Sequence, residues 1–127
     1  MDLRKFFGDD RYAQLSAVEL VEADDGHALA TMLVGDDHLN ASGFCQGGAI
    51  YTLADFAAAA AMASCGQLGV TLTATVSYLR PVERGVVTAI AHVVHNHRRV
   101  PQVKVEVYDA KKRLMAVMEV TGYRKGE

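Results

Sequence analysis

The sequence contains no tryptophan, two prolines, two cysteines and no marked excess of charge of either sign. So little proline argues against a disordered or linker-rich chain. Cys45 and Cys65 stand in unrelated contexts, with no CxxC and no ligand-like spacing. That argues against a disulfide scaffold or a zinc site, and for a reducing compartment. A formal net charge of −2 leaves no electrostatic footprint for nucleic acid or for an anionic membrane. The longest apolar run, residues 56–63, is too short and too rich in alanine to span a bilayer. The opening residues, MDLRKFFGDDRY, have no apolar h-region and carry acids early, so no signal peptide is expected and the chain reads as cytoplasmic.

What is present is ordinary in bulk and unusual in one place. With 127 residues, half of them apolar and 22% charged, the chain suits one domain with a real core, and residues 1–127 are expected to form it. Residues 1–14 are expected to be a short helix or an irregular arm. Alternating strands are expected over 15–22 and 27–34, joined by the turn Asp24-Asp25-Gly26. Four further strands are expected over 70–79, 85–95, 102–108 and 114–124. The β-branched content and short connections suggest consecutive antiparallel pairing.

Between the two groups of strands, residues 49–64 hold no proline or glycine and are long enough for about four helical turns. Ala54, Ala57–Ala61 and Ala63 make this helix nearly all small, with Ile50, Leu53, Phe56 and Met62 as bulk. A helix apolar on every side is expected to be buried. Small side chains let a backbone approach closely, which predicts a strongly curved sheet wrapped around it. The fold class is α+β.

Asp55 is the anomaly in that helix, with no Lys or Arg three or four residues away. A buried carboxylate without a partner is costly, and such costs collect where chemistry needs them. Gly47 and Gly48 precede the helix, where free N–H groups and the positive dipole end can receive a substrate oxygen. This is one way to build an oxyanion hole for a thioester carbonyl. Eight residues of helix are about 12 Å, beyond the reach of an aspartate side chain. If Gly47 and Asp55 act on one substrate, they come from two chains, which predicts a site across a dimer interface.

The stretch HLNASGFCQGGAIYTLAD, residues 38–55, strongly resembles the motif of PaaI-type (phenylacetate-degradation type) thioesterases of the hotdog superfamily. The likeness continues through VSYLRP at 76–81, the segment 95–99 and the closing strands, over nearly all of residues 15–124. It implies a hotdog fold, an antiparallel curved sheet wrapped around a long central helix, in dimers often paired into tetramers. It implies that Asp55 is the catalytic carboxylate, as general base or nucleophile, and that the Gly47 N–H polarises the carbonyl. Asn40 matches a polar residue that holds substrate or the attacking water, and Thr71 a hydroxyl residue that orients that water. The family's histidine before the glycine pair is Gln46 here. Gln can donate and accept hydrogen bonds but does not titrate near neutrality, so it can orient the thioester but cannot carry a proton.

Arg80, Arg98 and Arg99 are candidates for the phosphates of coenzyme A, and Gly48 for substrate binding beside Gly47. Tyr51, Phe56 and Met62 are candidates for an acyl tunnel, with core packing the simpler role. His95 and His97 share a strand face, but no local Cys, Asp or Glu completes a metal site, so none is expected. Cys45 lacks a nearby base and is rejected as nucleophile. The expected activity is hydrolysis of an acyl- or aryl-CoA thioester by water, with coenzyme A as part of the substrate and no other cofactor. The rivals are a hotdog dehydratase, which would want a histidine paired with an acid, and a non-catalytic acyl-CoA-binding module that has lost the motif histidine.

Overall fold

The computed structural model describes residues 1–125. Helices α1 (Leu3–Gly8) and α2 (Arg11–Leu15) are followed by strands β1 (Val18–Asp24) and β2 (His27–Val34) and a 3₁₀ turn, Asp36–His38. Helix α3 (Gly47–Ala63) then precedes β3 (Val70–Tyr78), β4 (Gly85–His95), β5 (Gln102–Tyr108) and β6 (Leu114–Tyr123). The six strands form one antiparallel sheet in the order β1-β2-β4-β5-β6-β3.

That order corrects the expectation of purely consecutive pairing. The chain leaves β2, crosses the concave face as α3, and emerges beside the far edge, where β3 pairs with β6. The vacated side of β2 is taken by β4, in register from His27↔His92 to Val34↔Gly85. The long helix under the sheet is what separates β3 from its neighbours in sequence. The arm is also more regular than expected. Asp2 and Asp10 each accept from the backbone N–H three residues on, and those two N-caps start α1 and α2. Because α2 takes Leu15, β1 begins only at Val18.

Helix α3 touches all six strands. Where it lies closest, small residues meet small residues: Ala57, Ala58, Ala60 and Ala61 of the helix are fully buried, as are Ala28, Ala30, Ala89 and Ala91 of β2 and β4. The pairs Ala28↔Ala91 and Ala30↔Ala89 set these sheet alanines side by side. Next to these alanines, a Cβ on Gly122 would stand 2.2 Å from Met62 Sδ, so a larger residue there would force the Met62 side chain to move.

The helix is not buried on every side. Tyr51, Thr52, Asp55, Ala59 and Ala63 form a half-buried stripe along it. Composition missed this stripe because alanine marks a helix face no better than it marks a core. Strand β3 is an open edge, with Val70 64% and Leu72 59% exposed. No helix among the described residues is long and apolar enough to cross a membrane.

Candidate active site

The N-terminus of α3 is held by the loop before it. Leu39 and Cys45 form an isolated antiparallel bridge, and Gly43 turns the chain between them with φ +86°. The Cys45 N–H donates to Val82 O and the Gln46 N–H to His38 O, both at 2.7 Å. His38 is itself held, accepting from the Gly35 N–H through Nδ1 and facing Ser16 O through Nε2 at 2.7 Å. Asn40 Oδ1 accepts from the Ser42 and Phe44 N–H groups at 2.9 and 3.1 Å. Its side-chain oxygen therefore shapes the turn.

Gln46 is the N-cap, and its Oε1 lies 3.5 Å from the Gly48 nitrogen, at the outer limit of a hydrogen bond. The glycine pair thus lies inside the first turn rather than ahead of it. Among the described residues the Gly47 N–H donates to no acceptor. It is one of the orphan donors of a helix start, on the positive end of the dipole. Gly48 is exposed beside it.

Asp55 lies two turns further along, and it is half-buried rather than buried. It also has a partner: the Thr71 hydroxyl, at the start of β3, donates to Asp55 Oδ1 at 2.5 Å. The expectation of a buried, unpartnered acid is corrected on both counts, because the stripe opens the helix at Asp55 and β3 brings a donor to it. A recess of about 230 Å³ opens onto Asp55, walled by Tyr51, Thr52, Phe56 and Ala59 of α3 and by Phe7, Asp10, Tyr12 and Ala13 of the arm. An edge contact between Phe7 and Phe56, centroids 5.6 Å apart, pins the arm there. The arm's share in this wall had no signal in the sequence. Met62 is fully buried and lines no part of the recess.

The other candidates separate into groups. Arg98 and Arg99 line a hollow of about 310 Å³ with Cys65, Gly66, Gln67, Asn96 and Arg124, at the C-terminal end of α3. Arg80 is exposed beyond the end of β3, its N–H on Met115 O. His97 Nδ1 accepts from the Arg99 and Val100 N–H groups, both at 3.0 Å, so its role is in the turn. Burial pushes the Cys45 thiol up to about 11, which keeps it protonated and unreactive.

Tyr78 was missed as a site residue: its hydroxyl donates to Gly47 O at 2.9 Å. Arg124 was missed as well. It is 3% exposed, and its guanidinium donates to Met62 O, Gln67 O, Asn96 Oδ1 and His97 O, closing the C-terminal end of α3.

Residues 42–116 match the thioesterase superfamily. The acyl-coenzyme A thioesterase PaaI of Escherichia coli strain K12 is 30% identical over 121 residues, covering 94% of this chain and 86% of that protein. The solved E. coli PaaI protein, from the phenylacetic acid degradation operon, superposes with a TM-score of 0.91 at 29% identity, covering 96% and 89% of the two chains. A hypothetical thioesterase protein of Streptococcus pneumoniae TIGR4, solved with coenzyme A, superposes with a TM-score of 0.86 at 28% identity and 97% coverage of each chain. A curved antiparallel sheet around one long helix, matched in sequence and in structure over nearly its whole length, makes this chain a PaaI-type hotdog protein of the thioesterase superfamily.

Proposed function

We propose that the protein hydrolyses the thioester of an acyl- or aryl-CoA, with residues 1–127 acting as one hotdog domain. The observation that carries this is the pairing of a half-buried carboxylate, Asp55, oriented by the Thr71 hydroxyl, with an unoccupied backbone donor at Gly47. Asp55 takes a proton from water as it attacks the thioester carbon, or attacks that carbon itself to form an anhydride that water then opens. The Gly47 N–H receives the negative charge that builds on the carbonyl oxygen. On the first route, collapse of the tetrahedral species expels coenzyme A as the thiol, with the proton returned from Asp55, and releases the carboxylic acid. On the second, coenzyme A leaves as the thiolate and is protonated from the water that opens the anhydride and regenerates the Asp55 carboxylate. The reading needs no metal and no redox cofactor. That the E. coli relative is named an acyl-coenzyme A thioesterase, and that a neighbour was solved with coenzyme A, supports this substrate class.

The site is completed by two copies of the chain. Asp55 contacts Thr71 at one end of β3, and Gly47 contacts Tyr78 at the other. Antiparallel pairing of the open β3 edges of two copies would set Thr71 of each beside Tyr78 of the other. That brings Asp55 of one chain towards Gly47 of its partner, and it covers Val70 and Leu72. Such dimers can pair further into tetramers. At the site, Asn40 Nδ2 and the Gln46 carboxamide hold the thioester or the attacking water, and Gly48 leaves room for the substrate. The arginine-lined hollow of Arg98 and Arg99 suits the phosphates of coenzyme A. Arg80, one end of β3 away, joins it only in the paired arrangement.

A panel of acyl- and aryl-CoA esters assayed with wild type and Asp55→Asn tests the reading. Turnover by wild type and a loss of at least about 100-fold in Asp55→Asn is expected, in the range of a lost general base. Equal rates in the two proteins would remove Asp55 from the mechanism. Gln46 in place of the motif histidine favours one second reading, a non-catalytic acyl-CoA-binding module. Tight binding of CoA esters without turnover would establish it.

A further inference from the structure

The geometry points to Tyr78 as the residue that positions the oxyanion donor, through its hydrogen bond and ring contact with Gly47. This rests on the reading of Gly47 as that donor and adds a residue to it.

A first-turn residue has no helical hydrogen bond holding its N–H, and glycine has no side chain to anchor it. The cap gives little help, because Gln46 Oε1 reaches the next nitrogen, that of Gly48, only at 3.5 Å. The peptide that carries this N–H is held at its other atom, Gln46 O, which accepts from the Ala49 and Ile50 N–H groups at 3.0 and 3.3 Å. What is left to another element is where Gly47 and the peptide after it stand against β3. Tyr78, the last residue of β3, supplies two contacts there. Its hydroxyl donates to Gly47 O at 2.9 Å. Its ring lies where a side chain at 47 would begin, with Cζ 3.1 Å and Cε2 3.4 Å from the place of a Cβ. Glycine at 47 thus admits the tyrosine ring as well as the substrate oxygen. Burial and the neighbouring Tyr51 both raise the Tyr78 phenol above its ordinary value, so it stays a donor through neutral and mildly alkaline pH.

The carbonyl oxygen of a thioester gains its charge only on the way to the tetrahedral species. A misdirected donor therefore costs turnover rather than ground-state binding. Tyr78→Phe keeps the ring and removes the hydroxyl. It should lower kcat about 10-fold, a fraction of the ~10²–10³ lost when a donor itself is deleted, with KM for the CoA ester little changed. The spectroscopic readout is the stretching frequency of a ¹³C-labelled thioester carbonyl bound to Asp55→Asn protein, where turnover is blocked. Adding Tyr78→Phe should move that band back towards its position in free solution. Should Phe disturb folding, a fluorinated tyrosine at 78, which ionises at lower pH, keeps the fold. It should add an alkaline fall in kcat that wild type lacks.

Unchanged kcat and an unchanged carbonyl band in Tyr78→Phe would overturn the assignment. So would a loss that tracks dissociation of the oligomer or a fall in Tm while the band stays put, because Tyr78 would then be an interface or packing residue. Absence of turnover on every CoA ester by wild type would instead sink the hydrolase reading beneath it.

Discussion

The Thr71 hydroxyl and the Asp55 carboxylate meet at 2.5 Å, joining the start of an edge strand to the middle of the central helix. This hydrogen bond restrains the direction of the carboxylate at the recess that Asp55 lines. Thr71→Val keeps the shape and removes the donor. It should lower kcat about 10- to 100-fold, within the range of general-base contributions, and Thr71→Ser should recover most of that. Steady-state kinetics on one good CoA ester decides it. A Val variant at wild-type rate would free Asp55 from any dependence on Thr71.

Gln46 should affect the pH dependence of turnover rather than the architecture. Its side chain caps the helix weakly and carries no titrating proton. The acid limb of kcat in wild type should therefore hold no contribution from this position. Gln46→His should add an inflection at roughly pH 6.5, the ordinary value of an imidazole. A pH–rate profile of both proteins measures it. Superimposable profiles would show that this side chain does not face the reacting atoms.

Much of this could be seen in the residues before any coordinates. Alternation located the strands His27–Val34, Gly85–His95 and Gln102–Tyr108 to the residue, because one face of each packs on the helix. Gly47 stood out as one of a glycine pair just ahead of an alanine-rich helix, and Asp55 as an acid inside it. What stayed hidden depends on contacts between distant segments. The far-edge position of β3 follows from where the helix lets the chain out. The opening at Asp55 depends on which side of an all-small helix the sheet leaves bare. Tyr78 and Arg124 look like an ordinary strand tyrosine and a terminal cation until the helix ends that they hold are in view.

Arg124 supports a stability prediction. Among the described residues its guanidinium, buried, meets no carboxylate and is satisfied by carbonyl oxygens of Met62, Gln67 and His97 and by Asn96 Oδ1. Cations are favoured at a helix C-terminus, and the planar fork reaches several acceptors at once. A lysine has one nitrogen and cannot serve both the Met62 and the Asn96 sides. Arg124→Lys should destabilise the fold by about 2 kcal/mol, the scale of hydrogen bonds to a charged group. Urea unfolding with an unchanged m-value would report it.

Cys45 gives a prediction with a definite sign. Burial raises its thiol from 9.0 to about 11. The unfolded chain therefore ionises first, and the native state keeps its full stability below pH 9. That contribution erodes as the pH climbs towards about 11. Alkylation by iodoacetamide at pH 8 should modify the half-buried Cys65 before Cys45. Mass spectrometry of the labelled peptides reads the order, and faster labelling of Cys45 would place its sulfur in a more open environment than this fold gives it.

The shared site can be tested by mixing two dead proteins. Gly47 is the first helical residue, a position where proline is well tolerated, and Gln46 already has the extended backbone that precedes proline, φ −57° and ψ 134°. Gly47→Pro therefore deletes the N–H donor with little cost to the helix, although the Tyr78 ring must shift. Asp55→Asn deletes the base. Each variant alone should be inactive. If the two groups act across a two-fold interface, unfolding and refolding an equal mixture makes mixed dimers. Each mixed dimer has one site built from the intact Gly47 of one chain and the intact Asp55 of the other. Half the dimers are mixed and half their sites are whole, so about one quarter of wild-type activity should return. A site contained within one chain would stay dead at every mixing ratio.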